Sequence, residues 1–586
     1  MLVPRPQRWP SFSEGRTQVV ALGLILLVAA GLRAAWIAYL NVDPLDGRFD
    51  DSVFYHQVAR FLAEGLGYVD PWGQGPTAQW PPAYPALLAL SYLPWGAELL
   101  AAKAINVALA AISVVLTYLV ASHLFDRRAG LLAALLLAVF PSHIYLSTLV
   151  LAENLFVPAV LLVLLLALKW GLRDRPPPVF SSLAVGAAIA FAGLTRVEGV
   201  WLLAPVLLVW LFASRGWAVA CRNLVLVLAG AALLIAPWAV RNGIELDKFI
   251  PFRETSSQSL ELGLNPHYER QWAVLPPERV PTIGDDLRIY RDEPWQIFTL
   301  LGRKTYDLYR NDNHIVDWLR GNGPSPALTP EEYERWKDIA DAVYYGFGVA
   351  ALASLALSLV ARDRRVLFLS AVILTWTLGF AVVIPETRYH IALVPLVATF
   401  AGALIVKLLS VSAAARSRIG RLEPRIATVT LGLGAALAAL TIGLGYDDWT
   451  EEEGPPPVVH DARLGETVRL GELEVTASSF AVDRSEAPTA AAAPGYVWLI
   501  VDATVTNRGT QDLLVLGLAQ TAVEDEGGNS YPAAPGWPVA RPLDGTVQPG
   551  ETLQGSAVYA VPADAAGLRF VFRGSGGAEE GRWVLE

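Results

Sequence analysis

The sequence predicts an α-helical polytopic membrane domain of about eleven spans, followed by a C-terminal all-β sandwich. Three observations lead there. Charged residues are 17% and hydrophobic residues 54% of the 586, whereas soluble domains carry roughly a quarter charged residues. Apolar runs that approach or exceed the ~18 residues of a membrane span recur between residues 18 and 445. Past residue 459 the pattern turns into short alternating runs between turn residues, which is the period of half-buried strands.

The spans fall near 18–40, 97–121, 129–149, 153–171, 179–194, 199–214, 220–239, 342–360, 366–384, 389–410 and 426–445. Their short connections sort by charge. Arg5, Arg8 and Arg16 precede the first span, Arg127 and Arg128 follow the second, and Arg173 and Arg175 follow the fourth. Arg215 and Arg222 flank the gap before the seventh, and ARDRR (361–365) and ARSRIGRLEPR (415–425) join later spans. All fall on one side if the N-terminus is cytoplasmic, as the positive-inside bias requires. The opposite, extracytoplasmic side then carries 41–96, 142–152, 195–198, 241–341, 385–388 and everything after 446. The first apolar run is too long for a cleaved signal peptide and lacks a small-residue cleavage site, so a retained span is expected. These features predict a multi-pass protein of the plasma membrane.

Residues 1–445 thus read as the membrane domain, with a first external loop at 41–96 carrying interfacial helices and a large external loop at 241–341. The acidic, Pro-rich run YDDWTEEEGPPPVV at 446–459 reads as a linker. Residues 460–586 read as a sandwich of about seven strands of the immunoglobulin-like kind. Its clearest runs are GELEVTASSFAV (471–482), YVWLIVDATVTN (496–507), SAVYAVP (556–562) and GLRFVFRG (567–574). It shows no catalytic constellation, and it is expected to bind an acceptor or the cell wall, or to shield the active face.

Composition also excludes several classes. The single cysteine, Cys221, rules out an intrachain disulfide and a cysteine-based metal cluster. The seven histidines are scattered, with no HxxxH pair. The net charge of −10 and the lack of a basic tract leave no nucleic-acid partner. No internal repeat is visible, so the inverted-repeat signature of many transporters is missing.

Chemistry is concentrated first at Asp50 and Asp51, directly beyond the first span. From Ser52 onward, apolar residues fall at Phe54, Val58, Phe61 and Leu62, the spacing of an amphipathic helix of the kind that lies in a membrane interface. One aspartate serves as its N-cap. The second is then unexplained, and two adjacent carboxylates at a membrane lip invite a functional reading.

The pattern Asp51, Tyr55, Ala59, then Gly65, then WPPAYP at 80–85 resembles the first external loop of bacterial glycosyltransferase family 39-type enzymes. These are multi-span GT-C-fold proteins, related to the protein mannosyltransferases, that transfer a sugar from a polyprenyl-phosphate carrier. Four further stretches are similar to that family in the same order: PSHIYLSTLVLAENLF (141–156) with Glu153 at its acidic position, AGLTRVEG (192–199), APWAVRNGIELDKFIPF (236–252) followed by GLNPHYE (263–269), and ETRYHIALVPLVA (386–398). The resemblance covers roughly residues 18–410. Two places depart from the family: Ser52 stands where a Glu usually follows the catalytic Asp, and Val197 replaces a Pro. With Asp50 preceding Asp51, the base stays open between the two.

The resemblance implies transfer from a polyprenyl-phosphate-linked sugar to a glycan, lipid or protein acceptor, at a site bathed in membrane lipid. Such transfer needs a base for the acceptor hydroxyl, a role for Asp51 or Asp50. It needs cations for the departing phosphate, for which Arg388, Arg241 and Arg196 stand at span ends and Glu386 is a partner for Arg388. It needs an aromatic groove, for which Tyr55, Trp80, Tyr84, Trp238 and Tyr389 are placed. Glu153 is a functional acid or a helix N-terminal one. His143 and His390 either hydrogen-bond structurally or hold a divalent metal with Glu153 or Asp51; no cofactor is expected. The competing function is a transporter or flippase of lipid-linked glycans, which calls for broken helices and midplane charges, whereas the acids and arginines here cluster at one face.

Overall fold

A computed structural model describes residues 16–40, 50–71, 75–171, 178–213, 217–254, 260, 263–264, 288, 290–320, 328–360, 364–415, 458–483, 496–509, 513–516, 520–526, 530–533, 541, 543–563, 565–574 and 579–585. The expected span 426–445 and nearly all of the linker lie outside these residues, as does most of the large loop before residue 288.

The helices are α1 (Arg16–Leu40), α2 (Asp50–Ala63), α3 (Ala83–Trp95), α4 (Leu99–Leu124), α5 (Arg127–Ala138), α6 (Pro141–Tyr145), α7 (Glu153–Gly171), α8 (Val179–Thr195), α9 (Leu203–Ala213), α10 (Trp217–Glu245), α11 (Gln296–Tyr309), α12 (His314–Arg320), α13 (Pro330–Val360), α14 (Arg364–Val382) and α15 (Val394–Ala415). Short 3-10 turns at Val197–Leu202 and Thr387–Leu393 lead into α9 and α15. Every expected span within the described residues is helical, but they differ in kind. Among the described residues seven helices are long and apolar enough to cross a membrane, or eight if α5 and the following turn, bent by 60°, form one span. The α8 and α9 regions are shorter apolar helices.

Local chemistry explains several boundaries. Asp126 caps α5, accepting from the amides of Arg128 at 2.8 Å and Ala129 at 2.9 Å. Pro141 opens α6 at a position where a missing N–H costs nothing. Pro385 follows α14 and removes a donor the helix would need to continue.

The central helix is α7, with 78% of its most apolar window buried, whereas α1 and α10 are peripheral at 17% each. A Cβ on Gly186 of α8 would run into the Val227 carbonyl of α10, and one on Gly230 into the Leu183 carbonyl. These two glycines let the helix backbones approach closely, as small residues do between membrane helices. The ends of the bundle differ. Arg127 donates to Gln18 at 3.1 Å and Arg365 to the His123 carbonyl at 3.0 Å, gathering the start of α1, the end of α4 and the start of α14 at one end. The end of α1, the start of α7 and the end of α14 lie at the other.

The all-β part comprises β1 (Val458–Arg463), β2 (Thr467–Leu470), β3 (Leu473–Asp483), β4 (Tyr496–Asn507), β5 (Leu513–Leu516), β6 (Thr521–Glu524), β7 (Ser530–Pro532), β8 (Asp544–Val547), β9 (Thr552–Pro562), β10 (Arg569–Arg573) and β11 (Glu579–Val584). One sheet runs β1-β11-β10-β6-β7 and the other β2-β3-β4-β9, with β5 and β8 paired separately. Among the described residues eleven strands thus replace the expected seven or so; five of them are three to four residues long, too short for alternation to be seen. Trp583, Phe570, Tyr559 and Leu473 are fully buried in the core between the sheets.

Candidate active site

Four distant stretches of chain meet at the second end of the bundle: the first turn of α2, the first turn of α7, the turn between α8 and α9, and the 3-10 turn before α15. Each is a place where a helix begins or stops, so side chains there project from the ends of packed spans. Arg196 closes α8 in an extended conformation, φ −148° and ψ 134°. The next turn folds back so tightly that a Cβ on Gly199 would strike the backbone of Ala192. That accounts for the glycine in AGLTRVEG.

The side chains form one ionic cluster. Arg388 Nη1 lies 3.1 Å from Asp51 Oδ2. Arg388 Nε lies 2.6 Å from Glu386 Oε2 and 3.8 Å from Glu153 Oε1. Arg196 Nη1 donates to the same Glu153 oxygen at 2.5 Å, and its Nε lies 3.4 Å from Glu198 Oε2. Both guanidiniums face the Tyr389 ring, Arg196 at 4.7 Å and Arg388 at 5.3 Å from its centroid, in cation–π range. Four carboxylates therefore surround two guanidiniums. Glu153 is almost wholly buried, with a side chain 2% exposed, whereas Asp51 is the most open at 19%. A buried cluster of this kind persists only with every charge partnered, since removing one partner costs about 3–5 kcal/mol.

A small pocket lies over the cluster, lined by Glu153, Arg196, Glu198, Arg388 and Tyr389 on the polar side and by Phe156, Trp376 and Phe380 on the apolar side; Asp51 is not among its lining residues. Burial pushes the Asp51 carboxyl above its ordinary range; Arg388 pulls it down, while Glu153 and Glu386 add to the rise. The result is a carboxylate more basic than a surface aspartate, in contact with a cation that lines the pocket. Such a group can accept a proton, and the two guanidiniums can bind phosphate oxygens once these displace carboxylates.

The expected residues are not all here. Asp51, Glu153, Arg196, Arg388 and Tyr389 come together, with Glu386 on Arg388 as anticipated. Asp51 lies within the first turn of α2 and not at its N-cap, because the helix already begins at Asp50; the side chain of Asp50 lies outside the described residues. The apolar stripe of α2 is spent on protein packing: Phe54, Tyr55, Val58 and Ala59 are buried.

Arg241 is a correction. It donates to the carbonyls of Thr77 at 2.7 Å and Tyr68 at 2.5 Å and faces the rings of Tyr68 and Trp238, so it ties the first loop to α10. Tyr55, Tyr84 and Trp238 lie in the core beneath the site and not on the cavity wall. Tyr55 and Tyr84 meet edge to face at 5.4 Å, the Tyr84 hydroxyl donates to Asn106 Oδ1 at 2.8 Å, and the Trp238 indole donates to the Phe252 carbonyl at 2.9 Å. Trp80 packs under Arg253, 5.5 Å from the ring centroid. His390 is turned away from Asp51 and Glu153 toward Asp312, at 3.0 Å, and His143 contacts the Ile391 carbonyl at 3.1 Å. Among the described residues no group of three or more His, Cys, Asp or Glu side chains is arranged to hold a metal ion.

Glu198, Asp312 and His314 escaped the reading of the sequence. Glu198 stands within AGLTRVEG, two residues from Arg196, and that spacing was a usable signal. Asp312 and His314 lie in the large loop, where no periodicity marks them.

Comparison with known proteins bears on this cluster. Residues 79–240 match the family model described as dolichyl-phosphate-mannose-protein mannosyltransferase, and residues 462–581 match DUF4352, a domain of unknown function. The matched segment holds Glu153, Arg196 and Glu198, half of the ionic cluster. Among solved structures, the oligosaccharyltransferase AglB from Archaeoglobus fulgidus, in complex with an inhibitory peptide and a dolichol-phosphate, is 13% identical over 74% of this chain and 56% of its own, with a TM-score of 0.40. ArnT from Cupriavidus metallidurans, bound to undecaprenyl phosphate, is 16% identical over 72% of this chain and 64% of its own, also at 0.40. The chain thus spans less than two thirds of either protein. The yjhA protein from Bacillus subtilis aligns over 22% of this chain and 99% of its own, at 19% identity and a TM-score of 0.18. No curated protein matches the chain.

Proposed function

We propose that this protein is an integral-membrane glycosyltransferase of GT-C type that moves a sugar from a polyprenyl-phosphate carrier to an acceptor hydroxyl. The observation that carries the reading is the contact of Asp51 with Arg388 at 3.1 Å: a carboxylate of raised basicity beside a cation suited to phosphate, and that cation lines the pocket. The mannosyltransferase family match over residues 79–240 supports it.

In this reading the acceptor oxygen attacks the anomeric carbon and its proton passes to Asp51. The bond from that carbon to the carrier phosphate breaks, and its electron pair leaves on the phosphate oxygen. Attack opposite the leaving group inverts the anomeric carbon. The phosphate oxygens take over donors of Arg388 and Arg196 that now face carboxylates, so departure of negative charge is met by fixed cations. A positioned base of this kind contributes roughly 10²–10⁴-fold. The site faces the extracytoplasmic side, with the N-terminus in the cytoplasm and the sandwich outside, a reading supported by Arg127 and Arg365 at the opposite end of the bundle.

The test compares envelope glycolipids and glycoproteins by mass spectrometry in a knockout strain complemented with wild type, Asp51→Asn or Asp50→Asn at matched expression. Loss of a sugar-sized mass with Asp51→Asn alone upholds the reading and reveals the acceptor. A wild-type profile from both variants, with loss in the knockout, overturns Asp51 as the base.

A further inference from the structure

The turn that presents Arg388 is gripped from the large loop at its back and approached at its front. At the front, His314 Nε2 stands 3.7 Å from Glu386 Oε2, beyond hydrogen-bond reach and an ion pair only when the ring is protonated; the same carboxylate holds Arg388 Nε. At the back, the buried His390 places Nε2 3.0 Å from Asp312 Oδ1 and Nδ1 2.8 Å from the Leu308 carbonyl. Two residues of one short segment, 312 and 314, thus flank a turn whose middle residue is the phosphate-binding candidate.

The grip is itself anchored. The Asp312 amide donates to Asp341 Oδ1 at 2.8 Å and the Asn313 side chain to Asp341 Oδ2 at 3.1 Å, fixing the segment to α13. The His390 ring stacks on Tyr344 of the same helix, 4.8 Å between centroids. Hydrogen counting shows that the Asp312–His390 contact is more than packing. Both ring nitrogens face oxygens, and a neutral imidazole carries only one N–H. The contact is therefore a polar link that fixes the ring from both of its nitrogens. The second Asp312 oxygen is buried with no hydrogen-bond partner among the described residues, an arrangement that does not favour stability.

We infer that Asp312 and His314 are positioning residues for Arg388, coupling the large external loop to the cation that receives the carrier phosphate. The inference rests on the phosphate-binding role given to Arg388 above. Neither residue touches the cavity; each acts through the turn at 386–390. A guanidinium that binds phosphate in pairs depends on its orientation, so releasing either end of the turn weakens phosphate binding without touching recognition of the prenyl chain.

The experiment measures binding of undecaprenyl phosphate and of undecaprenol to the full-length protein in nanodiscs, for wild type, Arg388→Lys, Asp312→Asn, His314→Gln and the two double variants. Wild type is expected to prefer the phosphate, and Arg388→Lys, which keeps a charge and measurable binding, to lose that preference. Asp312→Asn and His314→Gln are each expected to weaken phosphate binding about tenfold, as for residues in one network, to leave undecaprenol binding by the folded protein unchanged, and to add nothing on the Arg388→Lys background. Should one variant fail to fold, the other decides. Equal losses for phosphate and alcohol, additivity with Arg388→Lys, or wild-type binding by both variants overturns the positioning role. If wild type shows no preference for the phosphate, or Arg388→Lys retains it, the proposed function fails first and the inference falls with it.

Discussion

Arg388 and Asp51 are 337 positions apart in the chain, and their side chains meet at 3.1 Å. The contact joins the first turn of α2 to the turn before α15. Several consequences can be measured.

Asp51→Asn keeps the shape of the side chain and removes its ability to accept a proton. Transfer is expected to fall by about 10²–10⁴-fold, the contribution of a positioned base, while undecaprenyl phosphate still binds, since Arg388 is then freed from one carboxylate. Rates of sugar transfer by purified variants check this. Wild-type turnover in Asp51→Asn would refute it.

The pH dependence follows from the raised Asp51 carboxyl. The base must be ionised, so the acid limb of kcat/KM lies above the usual aspartate value of about 3.9. Arg388→Gln removes the neighbour that lowers it and is expected to shift the limb to higher pH. The sign for stability is the reverse. The folded state favours protonated Asp51, so its contribution is full below the unfolded carboxyl pKa and is lost as pH rises through the folded one. The stability of wild type relative to Asp51→Asn is therefore expected to be better in acid than at neutral pH. A limb at the ordinary value, unmoved by Arg388→Gln, contradicts the assignment.

Arg241→Ala removes two hydrogen bonds from a charged donor to loop carbonyls. Bonds of that kind contribute about 1.5–3 kcal/mol each, so the variant is expected to be markedly less stable, with faster amide exchange around Tyr68 and Thr77. Binding of undecaprenyl phosphate by the folded fraction is expected to be unchanged. A selective loss of phosphate binding at full stability would restore Arg241 to the ligand set.

Gly199→Ala forces a methyl onto the Ala192 backbone. The turn carrying Arg196 and Glu198 must shift, and overpacking of this sort costs about 1–3 kcal/mol. Transfer activity is expected to drop more than stability, because Arg196 loses its place on Glu153. Full activity in this variant would show that the turn adapts freely.

In the β part, Trp583 is fully buried and its indole donates to the Glu466 carbonyl at 2.8 Å. Trp583→Ala is expected to cost about 3–5 kcal/mol and to expose 458–584 to protease in the full-length protein while leaving the helical part resistant. Unchanged proteolysis would count against this core.

The sequence by itself determined the helical windows, the start of α2 near Asp50 and a switch to strands placed near residue 460, two residues past the first residue of β1. These are local properties, set by apolar runs, by period, and by proline and glycine at the ends. It also marked Asp51, Glu153, Arg196 and Arg388, because charges at span ends stand out against apolar surroundings. Only the tertiary structure decided which charges meet. Glu153 bridges two arginines, Arg241 leaves the site to hold a loop, the tyrosines at 55 and 84 sink beneath it, and Asp312 and His314 enter from a stretch with no pattern of its own. Ion pairing at the ends of packed helices depends on how the bundle brings remote turns within a few ångströms. That is a property of packing between spans, and no periodicity within one span encodes it.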